Sequence, residues 1–327
     1  MTTLFIDKRD LQLKADGDAL AFYQRDSGEK VGTVPIRLLE RVCIHGDLQL
    51  CASVLGKLGE HGVGVVVLSG RKQTPVLMMP AAKVDAARRQ EQYQAAQDPH
   101  FCIGQAKQWL NAKISGQLAL IEQHTERHPA LHATADTLRR LLLQVSDCLN
   151  LERLRGFEGT ASARYFAVWQ SILPASLNFS GRNRRPPQDP FNAVLSLTYT
   201  LMHFELVRTI HLCGLDPFIG FFHTVSHGRE SLACDLLEPL RPVCDQWAAD
   251  LFAQKILRPE DFGSQSGACL IGKAGRIRFY SNFEPFLEQQ QPTCRELCHT
   301  LLHDLAAHAA DDHADFEFDV QHWSETA

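Results

Sequence analysis

The spacing of apolar residues changes once along the chain, near residues 80–90, and this change is the feature that most limits the possible folds. Before it, short runs alternate apolar and polar residues as β-strands do, with turns at Gly17 and Gly28. These runs are LFI at 4–6, LQL at 11–13, ALAFY at 19–23, VGTVPI at 31–36, ERVCIHG at 40–46, GVVVLS at 64–69 and PVLMM at 75–79. The last two are expected to be buried, and a helix is expected at 47–62 with Asp47 as its N-cap and Gly62 at its end.

After the change, the apolar residues recur with the period of an α-helix. Helices are expected at 86–97, 101–123, 137–150, 159–173, 189–212 and 294–310. The sequence therefore predicts an α+β protein with a small β-rich domain at 1–85, a larger all-α domain at 86–310 and an acidic, mobile tail at 311–327.

Composition places the chain among globular proteins, since 45% of its 327 residues are hydrophobic and 22% are charged. No run of about 18 apolar residues is present, and charged residues stand where a signal peptide would be apolar. The ten cysteines are scattered without a CxxC pair, which is typical of reduced thiols rather than of a zinc site. We therefore expect a cytoplasmic protein that does not cross a membrane.

The net charge of −5 argues at first against a nucleic acid as the partner. Six carboxylates and no Lys or Arg follow residue 310, however, so without these six the −5 becomes +1. A loop-like segment, FSGRNRRPPQDP at residues 179–190, carries Arg182, Arg184 and Arg185, and Arg229 lies further along the chain. Guanidinium groups in such a segment can bind phosphates, although a solvated loop is the alternative.

Two segments contain residues that could carry out chemistry. Glu158 lies in RGFEGTASARYF, which places it just before a predicted helix, where it could instead stabilise the helix dipole. In GFFHTVSHGRESLACDLLEPLRP, Asp235 and Glu238 are three residues apart, so a helix would place both on one face. Pro239 is expected to bend that helix.

His223 and His227 are four residues apart and could bind zinc from one helix, but HTVSH lacks the glutamate of the HExxH pattern. Two carboxylates and one imidazole form a mixed oxygen and nitrogen set that suits Mg²⁺ or Mn²⁺. Such an ion can neutralise the charge on a phosphodiester and orient an attack on it.

Four motifs in this order resemble the CRISPR-associated spacer-acquisition endonuclease and integrase family. They are FEG with ARYF, RRPPQDPFNAVLSLTYTLM, GFFH and SLACDLLEPLRP, and they span residues 156–242. The β-rich start and the helical remainder are similar to the two-domain plan of that family, so the resemblance covers nearly the whole chain.

The resemblance implies that Glu158, His223 and Glu238 are the metal ligands and the catalytic residues, with Asp235 as a possible further ligand. It also implies a homodimer formed through the β-rich domain and a complex with a small adaptation partner of the Cas-two family. The implied reaction is attack by the 3′-hydroxyl of a spacer DNA on a phosphodiester of the CRISPR repeat. Lys113 and Tyr165 join the four arginines as expected DNA contacts.

Two other functions remain open from the sequence. A nuclease that cuts branched DNA in repair could use the same metal ligands, and a non-catalytic DNA-binding scaffold could have carboxylates of structural importance only. Joining of a 3′ end to a repeat duplex would distinguish the first from an integrase, and metal-dependent cleavage of branched DNA would exclude the second.

Overall fold

The structure is a computed structural model that describes residues 2–68, 75–81, 86–184, 186–224, 226–265 and 267–324, with the backbone alone for residue 2 and for 311–324. Within it the chain forms two compact units, Met1–Val84 and Asp85–Ala327. The first unit is rich in strands and the second is largely helical, which confirms the predicted α+β class. Dimerisation through the first unit stays a prediction.

The N-terminal unit contains two four-stranded sheets and a helix. Its strands are β1 (Thr2–Ile6), β2 (Leu11–Asp16), β3 (Ala19–Gln24), β4 (Lys30–Pro35), β5 (Leu39–His45), β6 (Gln49–Leu50), β7 (Gly64–Leu68) and β8 (Val76–Met78), and the helix is α1 (Ala52–Glu60). One sheet has the order β1-β5-β7-β8 and the other β4-β3-β2-β6. The predicted turns at Gly17 and Gly28 join the antiparallel neighbours β2, β3 and β4.

One hydrophobic cluster joins both sheets and α1. Leu13 and Leu20 come from one sheet, Val42 and Val65 from the other and Leu58 from the helix. Alternate residues of β1, β2, β3, β5 and β7 face this cluster, which explains the period-two pattern of those segments.

Two expectations for this unit were wrong. Asp47 does not cap α1, because residues 49–50 first pair with β2 as strand β6 and the helix begins only at Ala52, with Cys51 as its N-cap. The strand at 76–78 is not buried, because β8 is the last strand of its sheet and leaves Val76 57% exposed.

The helical unit contains eight helices and a short hairpin among its described residues. The helices are α2 (Ala87–Ala95), α3 (Pro99–Glu122), α4 (His132–Asp147), α5 (Leu151–Ile172), α6 (Pro190–Leu212), α7 (Ser231–Leu237), α8 (Arg241–Ala253) and α9 (Lys273–Ser324). The hairpin is formed by β9 (Phe262–Gln265) and β10 (Ala268–Ile271). α3 packs against α4, α5, α7 and α8, so its side chains reach residues from distant parts of the sequence.

Capping residues explain where three of these helices begin. Asp98 accepts hydrogen bonds from the backbone of His100 at 2.8 Å and of Phe101, and Pro99 follows it as the first residue of α3. Asp189 caps α6 in the same way, again with a proline next. Asn150 caps α5 by accepting from the backbone N–H of Arg153 at 2.9 Å.

The cap at Asn150 corrects an expectation, since α5 begins at Leu151 and not at Gly159. Near the C-terminus, α9 continues to Ser324 through most of the predicted tail, whose mobility stays a prediction. No helix in the described part of the chain combines the length and the apolar character that a membrane span requires.

Candidate active site

The side chains of three separate elements meet around the middle of α3. Lys113 on α3 places its Nζ 2.6 Å from Glu238 Oε2 and in contact with Glu158 Oε1. Glu158 lies on α5, and Glu238 begins the 3₁₀ turn that follows α7. The side chains of Lys113 and Glu238 are almost fully buried, whereas that of Glu158 is 27% exposed. The two carboxylates therefore share one cation, and Glu158 lies on the side of the cluster nearer to solvent.

Glu158 lies about two helical turns after the start of α5, well inside the helix. A carboxylate at this depth no longer interacts strongly with the N-terminal end of the helix dipole. Ser162, one turn later, donates a hydrogen bond to Glu158 Oε1 at 2.9 Å. The expected position of Glu158 just before a helix is therefore wrong, because α5 begins at Leu151, eight residues before the expected start at Gly159.

Glu238 is held in place by two basic residues. Arg241, three residues later, donates from Nε to Glu238 Oε1 at 2.8 Å, while Lys113 contacts Oε2. Burial alone would raise the pKa of Glu238, but the charges of Arg241, Lys113 and His223 outweigh burial and lower the pKa to about 2. The two basic side chains therefore keep this buried carboxylate negatively charged.

His223 lies in the loop between α6 and α7, and not on a helix with His227. Asp235 Oδ1 accepts from the backbone N–H of His223 at 2.9 Å and lies 2.6 Å from the ring Nδ1. Asp235 Oδ2 accepts from the backbone N–H groups of Phe221 and Phe222, and Arg155 donates two hydrogen bonds to the Phe222 carbonyl. The ring is thus oriented through Nδ1, which leaves Nε2 as the nitrogen that can bind a metal.

Asp235 and Glu238 have different surroundings, although they are three residues apart. Asp235 is fully buried, and the backbone and ring donors around residues 221–223 engage both of its oxygens. Pro239 lies in the 3₁₀ turn that follows α7, and the bend expected there stays a prediction. Asp235 is therefore arranged to orient His223, whereas Glu238 points towards Lys113.

The donor set suits a hard divalent cation, because two carboxylates converge on one positive charge and Asp235, three residues before one of them, orients an imidazole. In this structure the ammonium group of Lys113 supplies that charge. Among the described residues, accordingly, no three His, Cys, Asp or Glu side chains surround a common point as metal ligands would. The residue types therefore fit a metal ion, but in this structure the Lys113 ammonium group lies between the two carboxylates.

The arginine segment 179–190 is attached to α6. Arg182 donates to Asn192 Oδ1 at 2.7 Å and to Ser196, and its guanidinium lies 5.6 Å from the centre of the Tyr199 ring. Arg241 lies 4.7 Å from the same ring. Tyr199 therefore lies close to two guanidinium groups, one from the arginine segment and one beside Glu238.

The expected DNA contacts differ in exposure. Arg184 and Arg229 are exposed, Arg182 is half-buried in the contacts just described, and Arg185 lies outside the described residues. Lys113 and Tyr165 are buried, so neither is accessible to DNA in this arrangement.

Three residues of the cluster were not singled out from the sequence. Ser162 and Arg241 follow Glu158 and Glu238 by one helical turn, and this spacing was the available signal. Asp245 is fully buried and accepts a hydrogen bond from Tyr199. Burial raises the pKa of Asp245 to about 7, although that hydrogen bond and the charges of Arg241 and Arg182 each act to lower this pKa.

A family model described as CRISPR associated protein Cas1 matches residues 4–285. The chain belongs to the Cas1 family. It is 39% identical over 303 residues to CRISPR-associated endonuclease Cas1 1 of Thermodesulfovibrio yellowstonii, which covers 90% of this chain and 94% of the relative. It is 32% identical over 318 residues to CRISPR-associated endonuclease Cas1 2 of Rhodospirillum rubrum, with 89% and 90% covered. The resemblance drawn from the four motifs is confirmed.

Solved structures show that the Cas1 fold extends over nearly the whole chain. A Cas1 protein from Thermotoga maritima matches with a TM-score of 0.81 at 20% identity, covering 94% of this chain and 97% of that one. A casposase bound to integration product matches with a TM-score of 0.76 at 22% identity, covering 86% and 82%. A chain of a Cas6-RT-Cas1–Cas2 complex matches with a TM-score of 0.81 at 21% identity, covering 94% of this chain and 35% of that one.

Proposed function

We propose that this Cas1 chain is a divalent-metal-dependent integrase of CRISPR adaptation. The 3′-hydroxyl of a spacer DNA attacks a phosphodiester of the repeat array, which forms a new phosphodiester and releases the 3′-hydroxyl of the cut repeat strand. The convergence of Glu158 and Glu238 on one cation, together with the His223 ring that Asp235 orients, is the observation that carries the proposal. Membership of a family whose curated relatives are named CRISPR-associated endonucleases supports it.

Glu158, Glu238 and His223 would hold Mg²⁺ or Mn²⁺. When bound, such an ion neutralises charge on the phosphate oxygens and lowers the pKa of a hydroxyl. Asp235 is not part of the ligand set, because its oxygens already accept hydrogen bonds from the 221–223 segment.

The residues around the ligands keep them in place. Asp235 orients the His223 ring through Nδ1, and Arg241 fixes one oxygen of Glu238. Preorganised ligands of this kind reduce the rearrangement needed when the substrate arrives. The exposed Arg184 and Arg229 would contact DNA phosphates through charge-assisted hydrogen bonds.

The assembly is also part of the proposal. We infer a homodimer that uses the β-rich unit and acts together with a small partner of the Cas2 family on spacer and repeat DNA. Its fold matches a chain from a complex that contains Cas1 and Cas2, and a casposase solved with its integration product. We place the protein in the cytoplasm, because all ten cysteines are free thiols, as a reducing compartment keeps them.

Strand transfer of a short duplex with free 3′ ends into a leader-repeat plasmid tests the proposal. Wild type with the Cas2 partner and Mn²⁺ is expected to produce joined molecules, and Glu158→Gln is expected to produce none. Glu152→Gln is the matched control, since Glu152 is an exposed carboxylate on the same helix.

Three outcomes would contradict the integrase. Cutting of branched DNA without joining would indicate a repair nuclease, and no metal-dependent reaction on any DNA would indicate a binding scaffold. Joining by Glu158→Gln at the wild-type rate would remove Glu158 from the metal site.

A further inference from the structure

Lys113 is a lysine in an unusual environment. Its side chain is 3% exposed, in the middle of α3 and between the buried neighbours Leu110, Ile114 and Gln117. Lysine is almost never fully buried unless its charge is paired, because removing an ammonium group from water is costly. Here the pairing is double, since Nζ contacts Glu158 Oε1 and lies 2.6 Å from Glu238 Oε2.

The two carboxylates and the two basic side chains that contact them form a cluster whose charges balance without a metal ion. Glu158 and Glu238 contribute two negative charges, and Lys113 and Arg241 contribute two positive ones. If a divalent ion entered while Lys113 stayed in place, the cluster would carry two excess positive charges in a largely buried environment. Arg241 already engages Oε1 of Glu238, so the ion would also need Oε2, which lies 2.6 Å from Nζ.

Arg241 does not compete for that position. Its Nε contacts Oε1 of Glu238 and its guanidinium lies against the Tyr199 ring, so it faces the opposite oxygen from Lys113. The group that an entering ion would have to replace is therefore the ammonium of Lys113. Glu158 is the more exposed of the two carboxylates. Rotation of the flexible Lys113 side chain towards Glu158 would therefore return the ammonium group to water.

We propose that Lys113 is an internal cation that keeps Glu158 and Glu238 together until a divalent metal ion displaces its ammonium group. This inference rests on the proposed metal site. It has two consequences: the metal-free chain is stabilised by Lys113, and the apparent affinity for the metal is weakened because binding must first break two ion pairs.

Calorimetric titration with Mn²⁺ alone, without DNA, tests the inference on the full chain. Lys113→Met keeps the length of the side chain and removes the charge, so it is expected to bind Mn²⁺ at least about tenfold more tightly than wild type. Without metal, the same variant is expected to melt at a lower temperature and to recover most of the loss when Mn²⁺ is added. Lys107→Met is the control, because Lys107 lies on the same helix and donates to the Ser146 carbonyl at 2.9 Å.

Equal or weaker binding of Mn²⁺ by Lys113→Met would overturn the inference. If wild type binds Mn²⁺ and Glu158→Gln does not, the metal site stands even when the role of Lys113 fails. If neither wild type nor Lys113→Met binds Mn²⁺, the metal site and the inference fail together.

A measurement on wild type covers the case in which Lys113→Met does not fold. Lysine acylation by an activated acetate ester, followed by peptide mass spectrometry, reports which ammonium groups are accessible. Acylation of Lys113 is expected to be slow without metal and at least about tenfold faster with saturating Mn²⁺, whereas the rate at Lys107 is unchanged. An unchanged rate at Lys113 would show that its ammonium stays in place, which contradicts displacement.

Discussion

Asp235 binds His223 at two points, the backbone N–H at 2.9 Å and the ring Nδ1 at 2.6 Å. A single buried carboxylate thus determines both the path of the loop and the orientation of the imidazole. Asp235 lies on α7, and Glu238 directly follows the last residue of this helix, so one short helix positions both His223 and Glu238.

Replacement of Asp235 by Asn should therefore slow the reaction without abolishing it. The amide presents N–H groups to the N–H donors of the 221–223 segment, so the His223 ring loses its orientation. Hydrogen-bond partners of metal-binding histidines typically contribute about 10- to 100-fold to metal affinity or activity. Initial rates of strand transfer measure the loss, at a temperature where melting shows the variant folded. Asp147→Asn, on the exposed end of α4, is expected to have the wild-type rate. A complete loss equal to that of Glu158→Gln would instead make Asp235 a ligand.

Gly116 on α3 is required by the close approach of α8. A Cβ added there would lie 2.8 Å from Cγ of Pro242, whereas one added at Gly104 on the same helix would meet nothing within 4 Å. Gly116→Ala is expected to destabilise the chain by about 1–3 kcal/mol through overpacking. Gly104→Ala is expected to stabilise it by about 0.5–1 kcal/mol. Denaturant unfolding measures both, and equal effects of the two variants would contradict the close contact.

His203 should make the stability depend on pH. Burial would lower its pKa, but hydrogen bonds with Cys234 and with Glu230, 3.3 Å away, raise the pKa to about 9. Because the pKa of His203 is raised in the folded state, its contribution to the unfolding free energy is complete below the unfolded pKa of about 6.5. This contribution is lost as the pH rises through about 9. The deficit of His203→Gln in unfolding free energy should thus be about 1–3 kcal/mol at about pH 6 and disappear above about pH 9.

The control for this measurement is His303→Gln, because the His303 side chain is 86% exposed. We expect it to follow wild type at every pH. A deficit of His203→Gln that is constant across this range would show that the ion pair with Glu230 does not set the pKa.

Arg184 and Arg182 should differ in their effect on DNA binding. Arg184 is exposed, so Arg184→Ala should weaken binding to any duplex and reduce the slope of log affinity against log salt by about 0.9. Arg182 is bonded to Asn192 and Ser196, so Arg182→Ala should mainly lower the unfolding free energy, by about 1–2 kcal/mol. Fluorescence anisotropy across a salt series measures the slopes.

Arg139→Ala is the matched control for these slopes, since Arg139 already pairs with Glu122 and Asp136. Its slope should equal that of wild type. An unchanged slope for Arg184→Ala would remove Arg184 from the DNA interface.

Two helix starts predicted from the sequence lay within two residues of the observed ones. The starts expected at 101 and 189 compare with Pro99 and Pro190, and the structure shows Asp98 and Asp189 as the N-caps. The one N-cap that was predicted, Asp47, was wrong, because pairing of the following residues with β2 outweighed the capping preference. The predicted start of α5 was too late, because packing of this helix against α3 and α4 outweighs the low helix propensity of its glycines.

The sequence by itself determined the α+β plan, the family and the acidic and imidazole groups available for a metal site, since periodicity and motif order are local properties of the chain. Only the tertiary structure decided how those groups are used. Asp235 and Glu238 have the same charge and nearly the same position in the sequence, yet Asp235 accepts hydrogen bonds from backbone N–H groups and Glu238 forms an ion pair with an ammonium group from α3. Contacts between distant segments make that difference, because the partners of a buried charge depend on which elements pack around it.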